Sequence, residues 1–525
     1  MRDFHLPGRS EVFATNGMCA TSHPLAAKTA IDILQAGGNA VDAAIAGAAL
    51  LGVCEPQMCG IGGDCFVLIK PAGQEQVMAL NGSGRAPANL KAQDLRDQGM
   101  NIVPINSVHA VTIPGAIDAF CTLSADWGYA GLAASLAPAI RYAKEGVPVA
   151  PRVADDWGNS VDLLQGDARK FYLFNDKAPK LGQMFRAPKM AEVFEKIARQ
   201  GRAGFYEGEV AEDMLASLQA LGGHHQMDDF AATKCTYDAP VSGAYQGIEL
   251  IEHPPNGQGA TAVLLLNILS HFDIASMDPF GTQRAHIEAE ATKLAYDARN
   301  RFIADPDHIT RLNHMLSPET AKKLSSLIDV RKAMQSPKEL SESVHRDTIY
   351  ITVVDKNQMM VSLIYSVFHS FGSGLASAKF GINFQNRGAG FTLEQGHANE
   401  LGPKKRPMHT IIPGMLRENG KVTTSFGVMG GAYQATGHSR FVSNLVDFGM
   451  DAQAAIDGPR SFADHEGLQL ERGYSTNVAD ELADMGHHVV KASKAIGGAQ
   501  SIQITQDGVL RGASDARKDG CALGY

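Results

Sequence analysis

The sequence DTIYITVVDKNQMMVSLIYSVFHSFGSG at residues 347–374 carries the clearest structural signal in the chain. Residues 348–354, TIYITVV, are β-branched and aromatic and favour a strand. The next four residues, DKNQ, are typical of a turn, and the MMVSLIYSV that follows predicts a returning strand. Antiparallel pairing around this turn sets Thr348 roughly opposite Tyr365 and Ser366. A hydroxyl residue therefore begins the hairpin, and a second hydroxyl lies across the ladder.

A polar segment and two glycine-rich stretches flank this hairpin. Residues 311–347 hold a local charge cluster and predict a helix followed by an exposed connector. The stretches SFGSG (370–374) and GVMGG (427–431) can bring backbone N–H groups close to a ligand, although glycine pairs also mark turns. Neither stretch has the strand–GxGxxG–helix context of a dinucleotide site, and the sequence has no GxxxxGK[ST] loop.

The composition is that of an ordinary globular protein, with two or three small domains or one large layered domain in 525 residues. The 47 Lys and Arg against 56 Asp and Glu form no basic block, which argues against nucleic acid as a partner. The longest apolar stretch, residues 43–54, is too short to cross a bilayer, so no membrane partner is expected. The N-terminus has charges and a proline where an export signal needs an apolar core. We therefore expect a soluble, cytoplasmic protein whose seven cysteines are free thiols.

The remaining elements predict a layered fold of helices and strands. Residues 24–54 predict two Ala-rich helices separated by Gly37 and Gly38, the second buried on nearly all sides. Residues 282–304 predict a long amphipathic helix that ends near a Asp-Pro pair. Further strands are predicted at residues 65–70, 77–80 and 247–251. Strands that alternate with blocks of helices favour a mixed layered fold over a helical bundle.

Taken together, these segments resemble the γ-glutamyltranspeptidases, a family of N-terminal nucleophile hydrolases. The hairpin at 347–374 resembles the start of the family's small subunit. The resemblance runs almost end to end and includes the family's N-terminal helices and first strands, its central helix and its later landmarks. The matching segments are GMCATSHPLAAKTAIDILQAGGNAVDAA (17–44), GIGGDCFVLI (60–69), HIEAEATKLAYDARNRF (286–302), PKKRPMHTIIPGM (403–415), GVMGG (427–431) and GASDARKDGCALGY (512–525).

The resemblance implies an α+β fold, the four-layer αββα sandwich of the N-terminal nucleophile hydrolases, made as a precursor that cuts itself. In this sequence the cut falls between Asp347 and Thr348, giving a large subunit of residues 1–347 and a small subunit of residues 348–525, intertwined as one domain. The hydroxyl of Thr348 would be the nucleophile, and its freed α-amino group the general base.

Three further residues correspond to catalytic positions of the family. Gly430 and Gly431 stand at the oxyanion-hole position, where N–H donors stabilise a tetrahedral intermediate. Ser366 matches a threonine that hydrogen-bonds the nucleophile, and serine keeps that hydroxyl. No cofactor and no metal is expected for this chemistry.

The residues with which the family binds a γ-glutamyl group are largely replaced in this sequence. Ser83 stands at the position of the carboxylate-binding arginine, and Phe368 at that of an asparagine. In the stretch whose acid holds the α-amino group, this chain has QNRGAGF (385–391), with Arg387 and Gly390 in place of Gln and Asp. A serine pair that contacts the α-carboxylate becomes His409 and Thr410. The exchange of an acid for an arginine inverts the local charge, so an α-ammonium group should no longer be favoured.

We therefore predict hydrolysis of an amide whose acyl part is small and carries a carboxylate, as in the branch that includes cephalosporin acylases and oxamate amidohydrolase. Arg85 and Arg387 are the candidates for its anion pocket, because a guanidinium fork suits a carboxylate. Each could instead be a structural or surface arginine. Transfer to an amine acceptor is open, and two cleaved units could associate into a dimer of heterodimers.

Three alternatives remain open from the sequence. The first is a γ-glutamyltransferase that acts on glutathione. The second is an unprocessed binding or scaffold protein, against which Thr348 and the glycine pair argue. The third is a metallohydrolase built on His224-His225 with Asp228-Asp229, or on His487-His488, although neither has the helical spacing of an HExxH site.

Overall fold

The computed structural model describes residues 5, 8–334 and 348–525. Asp347, which would precede the predicted cut, and the last part of the predicted connector lie outside the described residues. Within the described ranges, every helix is too short or too polar to span a membrane. The seven cysteines are free thiols, as predicted, and four of them are buried.

The described residues form nineteen strands. In chain order these are β1 (Val12–Ala14), β2 (Met18–Thr21), β3 (Asp64–Lys70), β4 (Met78–Gly82), β5 (Val147–Pro148), β6 (Met184–Phe185), β7 (Thr236–Asp238), β8 (Val241–Tyr245), β9 (Ile248–Glu252), β10 (Ile349–Val354), β11 (Met360–Ser366), β12 (Gly414–Glu418), β13 (Lys421–Met429), β14 (Ser461–Asp464), β15 (Gly467–Leu470), β16 (Val489–Lys491), β17 (Gly498–Ile504), β18 (Leu510–Ser514) and β19 (Cys521–Gly524).

The same residues form eighteen α-helices. In chain order these are α1 (Pro24–Gln35), α2 (Ala40–Cys54), α3 (Ala92–Asp97), α4 (Ala116–Asp126), α5 (Leu132–Glu145), α6 (Pro151–Gly158), α7 (Gly166–Tyr172), α8 (Pro188–Gln200), α9 (Ala203–Tyr206), α10 (Gly208–Ala220), α11 (Met227–Ala231), α12 (Gly259–Leu269), α13 (Thr282–Phe302), α14 (Leu312–Met315), α15 (Pro318–Ser325), α16 (Gln434–Val446), α17 (Ala452–Asp457) and α18 (Thr476–Asp484).

Two seven-stranded antiparallel sheets form the centre of the molecule. The first has the order β19-β2-β10-β11-β3-β4-β7, and the second has the order β1-β18-β17-β13-β12-β9-β8. The predicted hairpin, β10–β11, therefore lies in the middle of the first sheet. Its register pairs Ile349 with Tyr365, so Thr348 lies one step further along, opposite Ser366. Strands β14–β16 and β5–β6 form two small separate sheets.

The sheets pack face to face, and helices cover both outer faces. Along β10, Ile351 and Val353 belong to a buried cluster that also contains apolar residues of α1, α2, α4, α5 and α8. Tyr350 points the other way and packs with Met429 of the second sheet. The outer face of the second sheet, at Val428, packs with α12, α13 and α16. This order of helices, sheet, sheet and helices confirms the predicted four-layer αββα sandwich.

The local predictions from sequence also hold at most elements. The two Ala-rich helices are α1 and α2, and all fifteen residues of α2 are buried. Asn39 caps α2 by accepting hydrogen bonds from its first turn, while Asp42 bonds back to the Asn39 N–H. The predicted long helix is α13, which ends two residues earlier than predicted and is buried on nearly all sides, so its predicted amphipathic character is wrong. The predicted strands appear as β3, β4 and β9 with ends shifted by one or two residues. The polar connector contains a short helix, α15.

Each large sheet contains strands from both sides of the predicted cut. The first sheet takes β2, β3, β4 and β7 from the chain before it and β10, β11 and β19 from the chain after it. The second sheet takes β1, β8 and β9 from the first part and its other four strands from the second. The two predicted subunits are thus interleaved, whereas the cut itself stays a prediction.

Candidate active site

Thr348 lies at the start of β10, in the space between the two sheets. The residue is 2% exposed. Its hydroxyl oxygen lies 3.3 Å from the hydroxyl oxygen of Ser366, which ends the neighbouring strand β11. The Ser366 hydroxyl also accepts the backbone N–H of Phe368 at 2.9 Å. The hairpin therefore brings together the two hydroxyls that the sequence predicted to face each other.

Arg387 extends this pair of hydroxyls into a chain of four polar side chains. It lies in a 3₁₀ turn, Arg387–Gly390, and is fully buried. Its Nη2 lies 3.4 Å from the Ser366 hydroxyl, and its Nη1 donates to the Thr410 hydroxyl at 3.1 Å. Arg387 therefore contacts two other residues predicted from altered family positions, Thr410 and Ser366.

An aromatic stack supports the Arg387 guanidinium. The guanidinium carbon lies 3.9 Å from the ring centroid of Phe368, a cation–π contact. The Phe368 ring is also stacked on His369, with centroids 4.3 Å apart and an interplanar angle of 16°. Phe368 has φ of 84°, a left-handed conformation that is strained for an aromatic residue. Such strain concentrates at functional sites, because packing must hold it in place.

Asp64 is a member of this cluster that the sequence analysis missed. It begins β3, pairs with Ser366 in the sheet register and is fully buried. Its Oδ1 accepts hydrogen bonds from the N–H groups of Gly84 and Gly115 and from Gln385 Nε2. The available signal was a lone acid after two glycines at the head of the apolar run CFVLI.

Asp64 is coupled to His409, a predicted substrate-binding residue. The Nε2 of His409 lies 3.1 Å from Asp64 Oδ2. Burial lowers the pKa of His409 well below 6.5, and the nearby Arg387 lowers it further, so the ring is neutral and donates to Asp64. Burial raises the pKa of Asp64 to about 6, while the Arg387 charge and the donors to Oδ1 oppose that rise.

The glycine pair forms a tight turn after β13. Gly430 has φ of 122° and Gly431 has φ of 57°. A Cβ at Gly430 would meet the Cα of Gly497 at 2.9 Å, so both the conformation and the space require glycine there. The Gly430 carbonyl accepts the N–H of Tyr433 at 3.2 Å, which closes the turn.

A cavity of about 370 Å³ opens beside this turn. Gly430, His369 and Ser370 line one wall, and segments near residues 105–106, 159–163 and 492–497 form the others. Its charged lining residues have both signs: Arg152, Lys494, Lys518, Asp464 and Glu466. The cavity is thus built from both sides of the predicted cut and has room for a small ligand.

Arg85 and Ser83 make contacts of a structural kind. The Arg85 side chain is 38% exposed and pairs with the buried carboxylate of Asp305 at 3.1 Å. It also donates to the carbonyl of Lys404 at 2.9 Å. The Ser83 hydroxyl donates to Asn81 Oδ1 at 2.8 Å. These contacts support the structural alternative for Arg85, whose substrate-binding role stays a prediction.

Of the residues considered as metal ligands, His225, Asp229 and His487 already have other partners. His225 is buried with Nε2 3.0 Å from the Val111 carbonyl, and Asp229 accepts the N–H groups of Gln226 and Ala88. His487 lies with two other candidate ligands, His286 and Glu290.

The atoms of that second group bond to each other and to the protein. His286 Nδ1 lies 2.7 Å from His487 Nε2. The Glu290 carboxylate accepts the Lys293 ammonium at 2.7 Å and the Met334 N–H at 2.8 Å. A dication there would face the lysine charge, so the geometry does not favour a metal centre.

Comparison with known proteins gives one consistent result. Residues 26–525 match the sequence family described as gamma-glutamyltranspeptidase. The chain is 34% identical to the glutathione hydrolase-like YwrD proenzyme of Bacillus subtilis, over 98% of this chain and 99% of that protein. It is 32% identical to the oxamate amidohydrolase proenzyme of Klebsiella pneumoniae, over 98% and 99%. The crystal structure of a cephalosporin acylase from Bacillus halodurans superposes with a TM-score of 0.92 at 36% identity, covering 100% of this chain and 99% of that one.

Proposed function

The chain belongs to the gamma-glutamyltranspeptidase family, and from that premise we propose that it is a self-processing amide hydrolase whose nucleophile is Thr348. Relatives that are named proenzymes, among them an oxamate amidohydrolase, support processing and amide hydrolysis. The burial of Thr348 at a strand end, with a second hydroxyl at 3.3 Å, supports its role as nucleophile.

In the processing step, the Thr348 hydroxyl oxygen attacks the Asp347 carbonyl carbon. A C–O bond forms, the C–N bond to Thr348 breaks, and the nitrogen takes up the hydroxyl proton. Water then hydrolyses this ester, which leaves a carboxylate on Asp347 and a free α-amine and hydroxyl on Thr348. Such an amine, with an ordinary pKa of about 7.7–8.0, can act as a base near neutral pH.

In turnover, the Thr348 amine accepts the proton of the Thr348 hydroxyl as the oxygen attacks the substrate amide carbon. The tetrahedral oxyanion would accept the N–H groups of Gly430 and Gly431, donors of a kind that typically contributes a few kcal/mol each. The Thr348 amine passes the proton to the leaving nitrogen of the substrate, which departs as an amine, and water then hydrolyses the acyl-enzyme. Ser366 lies within reach to hydrogen-bond the nucleophile throughout.

We propose that the acyl group carries a carboxylate that binds Arg387. The observation that carries this proposal is the position of its buried guanidinium, 3.4 Å from the Ser366 hydroxyl that lies beside Thr348. Arg387 and Thr410 together present a cation and a hydroxyl, and the Phe368 ring stacks against the guanidinium. A carboxylate is the ligand that such a planar cation favours.

Hydrolysis of glutathione is the second candidate, favoured by the relative named glutathione hydrolase-like. Its γ-glutamyl group carries an α-ammonium as well as a carboxylate. Arg387 and Phe368 present a cation and an apolar ring to this region, so the ammonium should be disfavoured.

Three anilides with one leaving group separate these possibilities: glutaryl-, γ-glutamyl- and pentanoyl-p-nitroanilide. The first two differ by the α-ammonium group, and the first and third differ by the carboxylate. We expect kcat/KM to be highest for the glutaryl compound or a shorter homologue, by about tenfold or more over both others. Arg387→Gln should remove most of the advantage over pentanoyl and leave pentanoyl turnover within about threefold.

The same preparation tests processing. Mass analysis and N-terminal sequencing should find a chain that begins at Thr348, and Thr348→Ala should give one uncut, inactive chain. Cleavage of Thr348→Ala, or γ-glutamyl turnover above glutaryl turnover, would contradict the proposal. The expected cytoplasmic location and the dimer of cleaved units stay predictions.

A further inference from the structure

A fully buried glutamine, Gln258, connects the two halves of the candidate site. Its Nε2 donates to the Thr410 carbonyl at 2.7 Å and to the Gly431 carbonyl at 3.1 Å. Thr410 holds Arg387 through its hydroxyl, and Gly431 belongs to the glycine turn. One carboxamide thus links the predicted anion pocket to the predicted oxyanion hole. It precedes α12, outside the segments that the sequence analysis assigned to chemistry.

The orientation of this carboxamide is fixed by Arg299 of α13. The Nη1 of Arg299 donates to Gln258 Oε1 at 2.8 Å, which leaves Nε2 to face the carbonyls of Thr410 and Gly431 and, at 3.4 Å, that of Ala432. Arg299 is buried, and its other bonds go to the amide oxygen of Asn300. Its guanidinium carbon lies 4.4 Å from the ring centroid of Tyr296. Over the part of the chain that the structure describes, no carboxylate forms an ion pair with it.

A buried guanidinium without an acidic partner is costly for a fold that needs only stability. Burial lowers the pKa of Arg299 to about 10, so it stays charged at neutral pH. Tyr296, one turn earlier on α13, also donates to the glycine turn, through the carbonyl of Ala432. The same hydroxyl accepts the N–H of Thr436 at 3.4 Å. Two consecutive carbonyls are thus held, that of Gly431 by Gln258, which precedes α12, and that of Ala432 by Tyr296 of α13.

We propose that Gln258 and Arg299 are positioning residues that align the Gly430–Gly431 turn with the Arg387 pocket, so that a bound carboxylate sets the reacting carbonyl against the oxyanion donors. This inference rests on the proposed function. The Gly431 carbonyl, held by Gln258, belongs to the peptide plane directly after the one that carries the Gly431 N–H, and Tyr296 holds the next carbonyl, that of Ala432. These two anchors limit how far the turn, and with it the N–H groups of Gly430 and Gly431, can rotate. Donors that are already oriented when charge develops need no rearrangement in the transition state.

Gln258→Glu tests the inference with almost no change in volume. The new carboxylate keeps the Arg299 contact as an ion pair, but it cannot donate to Thr410 or Gly431, and it faces their carbonyl oxygens. We expect kcat for the best acyl anilide to fall by about 10–100-fold with KM within about threefold. Arg299→Lys keeps the charge but loses the planar, forked guanidinium. We expect its kcat to lie between that of Gln258→Glu and that of the parent enzyme.

Inhibitor binding separates alignment from general damage. A carboxylate-bearing alkylboronic acid forms a tetrahedral adduct with the Thr348 hydroxyl, whereas the matching dicarboxylate product does not. Gln258→Glu should weaken binding of the boronic acid by at least tenfold and binding of the product by less than threefold. Gln453→Glu is the matched control, since Gln453 is a buried glutamine that donates to the Ser514 carbonyl away from the turn. It should lower Tm and leave kcat and the affinity ratio near those of the parent.

Equal loss of both inhibitors in Gln258→Glu, or an unchanged kcat, would overturn the positioning role. Thr348→Ala keeps this result apart from the proposed function. If Thr348→Ala is uncut and inactive while Gln258→Glu is normal, only the positioning role fails. If Thr348→Ala still turns over substrate, the proposed nucleophile is wrong whatever Gln258 does.

Discussion

Asp64 and Arg387 are buried close together, and their opposite charges predict a pH-dependent affinity for anions. Burial raises the pKa of Asp64 to about 6, so it is ionised at pH 8 and protonated at pH 5. Its negative charge opposes a substrate carboxylate at Arg387, and protonation removes that opposition. Affinity for an anion should therefore increase as the pH falls through 6. His409 does not titrate there, because burial holds its pKa well below 6.5.

An alkanesulfonate inhibitor tests this, because it stays ionised at every pH used. Its inhibition constant should rise on the order of tenfold between pH 5 and pH 8, since like charges in a desolvated site cost more than about 1 kcal/mol. Asp64→Asn should bind the sulfonate tightly across the whole range. The same pH profile in Asp64→Asn and the parent would assign the titration to another group.

Single residues also mark the limit of what the sequence could predict. Thr348, Ser366 and Arg387, which lie together in the structure, could be proposed from the sequence because two lie in a strong hairpin pattern and one departs from a family position. Asp64 and the Arg85–Asp305 ion pair were not found. The partners of Arg85 are 220 and 319 residues away along the chain, and no local pattern encodes such a contact. The roles of Asp64 and Asp305 depend on their burial, and burial is determined by the packing of the complete fold.

At the level of elements, strands and helices with a strong pattern were predictable and the turn geometry was not. The β-branched run of β10 and the all-apolar helix α2 each fit one environment, so their positions follow from hydrophobic pattern. The left-handed Phe368 is the opposite case, because its strain is held by contacts with Arg387 and His369. The glycine turn lies between these cases, because its composition predicted a turn but not which residues the turn contacts.

That turn carries a prediction of its own. Gly430→Ala forces a side chain into left-handed backbone and against Gly497 at 2.9 Å, so the turn must shift. We expect kcat to fall by about 100-fold or more, because misaligned oxyanion donors act only in the transition state. Gly420→Ala is the matched control: it has φ of 79° in the β12–β13 turn with no atom near a new Cβ. It should cost about 1 kcal/mol of stability and leave kcat unchanged. Equal kcat values in the two variants would remove the turn from catalysis.

At the level of the whole molecule, the interleaved sheets decide what the cut can do. Strand β10 is paired on one side with β2, from before the cut, and on the other with β11, from after it. The C-terminal strand β19 also pairs with β2. Separation of the two subunits would therefore break the centre of the first sheet and would also disrupt the second sheet, which contains strands of both subunits. Cleavage should convert one folded chain into two chains that stay together until the fold itself is lost.

This predicts that cleavage makes thermal stability depend on protein concentration. The cleaved enzyme unfolds to two chains, so mass action favours the folded state at high concentration, whereas the uncut Thr348→Ala precursor unfolds to one chain. A 100-fold increase in concentration raises the free energy of unfolding by about 2.7 kcal/mol. At the usual unfolding entropy of a protein of this size, that increase raises Tm by about 2–3 °C. Calorimetry at low and high micromolar concentration should show this rise for the cleaved enzyme and none for Thr348→Ala, and both should elute from gel filtration as intact units. A concentration-independent Tm in the cleaved enzyme, or a free small subunit on the column, would mean that the two parts do not form one cooperative fold.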